Sequence, residues 1–342
     1  MRALARSILA HWDEATVGRP VPHTLDCLLR ASRFRASRNV IFLVFADGSP
    51  EPVLLAKTPR VQDDLAALER EVANLEKLSS LRPAGLGSVP RVVSYRDWQD
   101  SKLLLETFVP GRPLSPALVR KSQPCVDSVM RWVTELHFAS RAFVTGPSGS
   151  VRKNLENSLG RLAALFPASV ELRQMLDRTH EFAEPLATHV LPRVFEHGEL
   201  GARNILVDSD GQVGVVGWEL ADATGLPATD VFFFLTDVAF ARADATTTGK
   251  YVETLESAFI GSPAWARPYV LDYAKAVGLS PRSLRPLFLL TWVRTVANLA
   301  TRMQREGNPD QRGSQTQLQW LMANPYFGLW RFALEHWKEL DL

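Results

Sequence analysis

The chain has 342 residues, 46% apolar and 22% charged, with 39 basic against 37 acidic side chains for a formal net charge of +2. This composition fits a globular protein of two or three structural units and excludes a wholly disordered chain. It lacks the basic excess of a nucleic-acid binder, and no apolar run approaches the roughly 18–20 residues of a membrane-spanning helix, so neither nucleic acid nor membrane is expected as a partner. Cys27 and Cys125 are too few for a disulfide framework, which predicts a reduced, cytoplasmic protein.

In chain order, residues 1–10 set Arg2 and Arg6 around Leu4 and Ile8 without a long apolar core or a cleavage site. That predicts a surface helix, not a signal peptide. Residues 40–45 are β-branched and aromatic, 46–50 carry turn chemistry, and 53–57 read as the returning strand. A helix follows over 63–79, started by Asp63 and Asp64, with Leu65, Leu68, Val72, Leu75 and Leu78 on one face. Strands are predicted at 91–95 and 102–108, and Pro110-Gly111-Arg112-Pro113 is a strong break. Beyond it, helical patterns cover 125–139, 153–165 and 171–189, with a β interlude over 194–220. Helices return at 229–241, 250–260, 265–277 and 283–303, and two more lie near the C-terminus after a loop at 307–313. The chain contains no internal repeat. The predicted class is α+β, with a small β-rich lobe over 1–109 and a large, mainly helical lobe over 110–342.

The densest chemistry lies at His197-Gly198-Glu199, with Asn204 five residues beyond the carboxylate, followed by Val215-Val216-Gly217-Trp218-Glu219 and then Gly225-Leu226-Pro227-Ala228-Thr229-Asp230. In order and spacing these segments resemble the aminoglycoside phosphotransferase and choline kinase family of the protein-kinase-like superfamily. There the catalytic loop reads H-G-D-x-x-x-x-N, the metal loop roughly V-I-D-W-E, and G-x-P-x-x-D opens a helix. The resemblance spans about residues 25–335 and implies a bilobal protein-kinase-like fold with ATP as cofactor. Lys57 matches the phosphate-gripping lysine, and Glu71 matches its ion-pair partner. The segment holding Glu106 and Phe108 matches the hinge that receives adenine, and Leu136-His137 matches a pair common in the first large-lobe helix. His197 and Glu199 fall on the catalytic positions, and Asn204 on a magnesium ligand. His197 is expected to brace the loop backbone, and Asp230 to cap its helix and tie that loop down.

Two departures hit the charge-neutralising apparatus on which phosphoryl transfer depends. The catalytic aspartate is Glu199, one methylene longer. The metal-loop aspartate is Gly217, which supplies no ligand, so magnesium is left with Asn204 and, if the segment runs on as a strand, Glu219 on the same side. The phosphate-covering segment 30–39 has no glycine. Its Arg33, Arg35 and Arg38 read either as an anion clamp or as a charged strand edge that deters pairing. The first reading is therefore a nucleotide-binding pseudokinase or weak phosphotransferase acting as a binding or regulatory module. The alternative is an active ATP-dependent kinase acting through Glu199 on a hydroxyl of a small molecule or peptide. Residues 101–342 carry 25 basic and 25 acidic side chains, which gives no support to a polycationic acceptor.

Overall fold

A computed structural model of the protein describes residues 2–13, 18–30, 39–60, 65–81, 89–143, 149–187, 189–245, 248–261, 264–306 and 314–342. Arg33, Arg35, Arg38, Asp63, Asp64 and the 307–313 loop lie outside the described residues. The chain divides into two units, Met1–Pro113 with Arg203–Ala223, and Leu114–Ala202 with Thr224–Leu342.

The first unit opens with α1 (Arg2–Leu9), β1 (Leu25–Arg30), β2 (Asn39–Ala46), β3 (Leu54–Pro59), α2 (Leu65–Leu81), β4 (Val92–Trp98) and β5 (Ser101–Thr107). The strands form an antiparallel sheet of order β1-β2-β3-β5-β4. Alternation along β3 sorts its side chains onto two faces. Leu54 and Ala56 join Val44, Leu103 and Leu105 on one face, closed by Leu4 and Ile8 of α1. Those two residues are four apart and share a stripe, so burial stabilises a helix too short to persist alone. Lys57 falls on the other face, opposite Leu104 in register. There Leu104 packs with Leu68 and Val72 of α2. After β5 the chain turns at Gly111, whose φ is +120° and where a Cβ would stand 2.9 Å from the Val207 carbonyl carbon. Only glycine permits that approach, and it lets β6 (Arg112–Pro113) pair with residues 206–207.

The second unit begins with α3 (Pro116–Lys121), which sequence periodicity does not reveal. It is six residues long, with proline in its first turn and the Ser115 hydroxyl accepting the Leu118 N–H. Next come α4 (Gln123–Ser140), β7 (Ala142–Phe143), α5 (Gly149–Leu165), α6 (Val170–Ala183) and β8 (Pro192–Glu196). Helix α6 stops short of the predicted 189 because Pro185 lies in the following 3-10 turn, Glu184–Ala187, and cannot continue the ladder. The chain then supplies β9 (Ile205–Val207) and β10 (Val213–Val215) to a β10-β9-β6 sheet in the first unit, and β11 (Asp222–Gly225) leads back. The remaining helices are α7 (Thr229–Ala243), α8 (Thr248–Phe259), α9 (Arg267–Val277), α10 (Leu284–Glu306), α11 (Gln315–Met322) and α12 (Pro325–Glu335). Helix α7 is buried on all sides through residues 229–236, so its apolar run is continuous rather than striped. Phe232 meets Phe288 edge-on at 5.1 Å, and Phe288 meets Trp292 at 5.8 Å. Among the described residues no helix is long and apolar enough to cross a membrane.

Candidate functional site

In the first unit, the alternation that turns Lys57 away from the α1 face points its ammonium at two carboxylates. The Lys57 Nζ lies 2.7 Å from Glu71 Oε1 and 2.8 Å from Glu106 Oε1, and all three side chains are buried. Burial pulls the lysine pKa down, but Glu106 and Glu71 more than offset this and hold it above its ordinary value. The acids are perturbed upward. Burial raises Glu71 to about 7 against the opposing pull of Lys57, with Glu106 and Glu219 adding to the rise. Burial likewise raises Glu106, with Lys57 opposing and Glu219 reinforcing. One cation is outnumbered by carboxylates, and the second oxygen of Glu106 is buried without a hydrogen-bond partner. Lysine has three N–H donors, and the two carboxylates engage two of them. Phe108 follows directly after β5, half-buried, its N–H donated to the Val53 carbonyl at 3.3 Å.

The segment matched to the metal loop is fastened to this cluster. The Trp218 N–H is donated to Glu71 Oε1 at 3.3 Å, and the Asn74 amide donates to the carbonyls of Trp218 and Ala221, both at 2.9 Å. Asn74 was legible only as a polar residue on the buried stripe of α2, and a buried polar side chain is the informative kind. Gly217 has φ +83° and ψ 57°, left-handed backbone that ends the strand and starts a 3-10 turn over Trp218–Leu220. Glu219 therefore does not sit on a strand, and the two-residue alternation that would set it beside position 217 does not apply. Its carbonyl receives a long 3.5 Å contact from Arg70 Nε. A Cβ on residue 217 would lie 3.2 Å from Asn204 Oδ1. The residues that the resemblance offers as magnesium donors are thus Asn204 and Glu219. No group of three or more His, Cys, Asp or Glu suited to a metal occurs among the described residues. This set does not fit an ion that favours carboxylates in octahedral geometry.

In the second unit, β8 delivers His197, Gly198 and Glu199 onto a buried brace. Asp230 Oδ2 accepts the His197 N–H at 2.6 Å, and Oδ1 accepts the Gly198 N–H at 2.9 Å. His137 Nε2 lies 3.3 Å from Asp230 Oδ2, and its Nδ1 lies 2.8 Å from the Tyr273 hydroxyl. That hydroxyl in turn accepts the Ala228 N–H at 2.9 Å. The chain of bonds closes with Tyr273 donating to Nδ1 and His137 donating from Nε2. Burial pushes the Asp230 carboxyl up, but the hydrogen bond from His137, together with His197, more than offsets this and holds it below its ordinary value. His197 is fully buried, and its Nδ1 accepts the Glu199 N–H at 3.3 Å. The Glu199 carboxylate is half-buried, with Arg302 Nη2 3.9 Å from its Oε1. One residue before the loop, Glu196 accepts the Leu226 N–H at 3.0 Å and both terminal nitrogens of Arg294. Tyr273, Arg294 and Arg302 carry no local sequence signal, because each meets its partners from a helix at least 45 residues away in sequence.

No curated protein matches the chain. Solved structures do. An aminoglycoside phosphotransferase, APH(2")-IIia, in complex with GDP and kanamycin, superposes with a TM-score of 0.57 at 15% identity, covering 90% of this chain and 95% of its own. The choline kinase LicA from Streptococcus pneumoniae gives 0.55 at 11% identity, covering 89% and 94%. The macrolide 2'-phosphotransferase MphH from Brachybacterium faecium gives 0.55 at 18% identity, covering 95% and 97%. These likenesses establish the mixed α/β, protein-kinase-like fold. The phosphotransferase enzyme family, APH, matches residues 35–271. With more than half its length matched and the motif positions falling in order, the chain belongs to that family.

Proposed function

We propose that the protein binds a nucleotide through residues 1–109, at Lys57, Glu71 and the Glu106–Phe108 segment, and acts in the cytoplasm as a pseudokinase or weak phosphotransferase. The observation that carries this reading is Gly217. It removes a carboxylate where the family coordinates magnesium, and its left-handed backbone brings the Asn204 amide to 3.2 Å of the space a Cβ would need. The nucleotide is ATP; that the similar aminoglycoside phosphotransferase structure is a GDP complex supports a nucleotide at this site. The cytoplasmic placement draws support from the cysteine count, two being too few for a disulfide framework. The alternative is an active ATP-dependent kinase acting on a hydroxyl of a small molecule or peptide. Its support is the Asp230 brace, which would hold Glu199 ready to accept a hydroxyl proton.

A thermal-shift titration with ATP and ADP, with and without magnesium, tests the reading. Wild type should be stabilised by nucleotide with little magnesium dependence, and Lys57→Ala should lose the shift. Gly217→Asp should increase the magnesium dependence while lowering basal stability by about 1 kcal/mol, the order of the left-handed penalty for a side chain. Absence of any nucleotide shift in wild type would end the nucleotide reading. Robust magnesium-dependent single-turnover hydrolysis by wild type, lost in Gly217→Asp, would favour the active kinase.

A further inference from the structure

Helix α10 carries Arg294, Asn298 and Arg302 at successive four-residue spacings, so all three lie along one face. Down this stripe the guanidinium groups pass from engaged to available. Arg294 is held by both oxygens of Glu196. Asn298 Oδ1 accepts from Arg161 Nη1 at 3.2 Å, and Arg161 Nε also donates to the Asn157 carbonyl at 3.1 Å. Arg302 is 27% exposed, and its ion pair with Glu199 spans 3.9 Å, too long for a hydrogen bond. Among the described residues this stripe sets Arg161, Arg294 and Arg302 beside Glu196 and Glu199. Burial, and to a lesser extent the Arg161 charge, holds the Arg294 guanidinium down to about 10.

We propose that the acceptor of this protein is an anionic hydroxyl compound, its carboxylate or phosphate group bound by Arg302 while its hydroxyl faces Glu199. The inference rests on the reading of Glu199 as the residue that meets the acceptor, and it fixes the charge of that acceptor. A guanidinium presents a planar fork that matches carboxylate and phosphate oxygens. Because Arg302 and Glu199 are 3.9 Å apart, the anionic group and the hydroxyl must be only a few bonds apart, as in a short hydroxy acid or a small phosphate monoester. A cationic acceptor would bring like charge against Arg302.

The test is isothermal calorimetry on the full chain with a matched set of three-carbon probes, glycerate, glycerol 3-phosphate and neutral glycerol, and with choline as the cation. At least one anion should bind more tightly than both glycerol and choline. Arg302→Ala should weaken it roughly tenfold, the order expected for losing a hydrogen bond to a charged group. Arg302→Lys should recover only part of that loss. Glycerol or choline matching the anions, or anion affinity unchanged in Arg302→Ala, overturns the proposal. Parallel titration with ATP separates the two readings. Anion binding without a nucleotide response sinks nucleotide binding alone, and nucleotide binding without anion preference sinks the acceptor assignment alone.

Discussion

Two buried carboxylate clusters, one in each unit, resolve their electrostatics in opposite directions. Around Asp230 the acid is outnumbered by donors, the His197 and Gly198 N–H groups and His137, and it stays ionised. Around Lys57 the cation is outnumbered by acids, and Glu71 rises to about 7. A satisfied cluster is a permanent fixture, since every member loses by leaving. A cluster with surplus like charge and an unpartnered oxygen gains from a proton or a ligand that changes the balance. The fold thus devotes one buried network to rigidity and holds the other ready to respond.

The comparison breaks most visibly at Asp230. Asp230→Ala strands the buried His197 N–H and the partly buried Gly198 N–H, and leaves His137 without its acceptor. It should lower unfolding free energy by about 3–5 kcal/mol, the range for breaking a buried charged network. Urea denaturation measures it, and a loss under about 1 kcal/mol would show that the brace is dispensable.

The opposite sign is expected at Lys57. The folded protein holds a proton on Glu71 that the unfolded chain has released between pH 4.5 and about 7. Stability from this group should therefore fall as pH rises through that window, by on the order of 3 kcal/mol, and level off above it. Glu106→Gln removes one surplus charge and should flatten this slope and raise stability at pH 8. A wild-type profile that climbs from pH 5 to 7, unaltered in Glu106→Gln, would contradict the picture of surplus charge. Asp230 contributes with the usual sign, its stabilisation present above pH 3.8 and lost as pH falls through its lower folded value.

The smallest effect sharpens the brace. Tyr273→Phe removes the hydroxyl shared by Ala228 and His137 and should cost about 1–2 kcal/mol. Pairing it with His137→Ala in a double-mutant cycle should give a coupling well above zero, whereas additive losses would mean that Tyr273 contributes by packing alone.

How much of this was legible depended on sequence distance. The strands around residues 40–57, helix α2 and the long helices of the second unit announce themselves through periodicity. β1 does not, because Leu-Asp-Cys-Leu-Leu-Arg has no β-branched residue and leaves Leu28 and Leu29 about half exposed. Motif residues such as Lys57, Glu71 and Asp230 were visible by resemblance, but their state of charge was not. That depends on the second acid at Lys57 and on Tyr273 and His137, contacts that only the folded chain creates. Glu219 marks the same limit: its facing beside Gly217 follows only if the segment runs on as a strand, and one left-handed glycine two residues earlier ends that strand.

Helix α1 bears on where a domain begins. The family match starts at residue 35, yet Leu4 and Ile8 are as buried as any strand residue of the sheet they cover. Homology and foldability thus draw different borders. A chain trimmed to the matched segment would keep every recognisable motif while baring Val44, Leu54, Ala56 and Leu103 to water, an adhesive surface at the back of a sheet whose front carries Lys57.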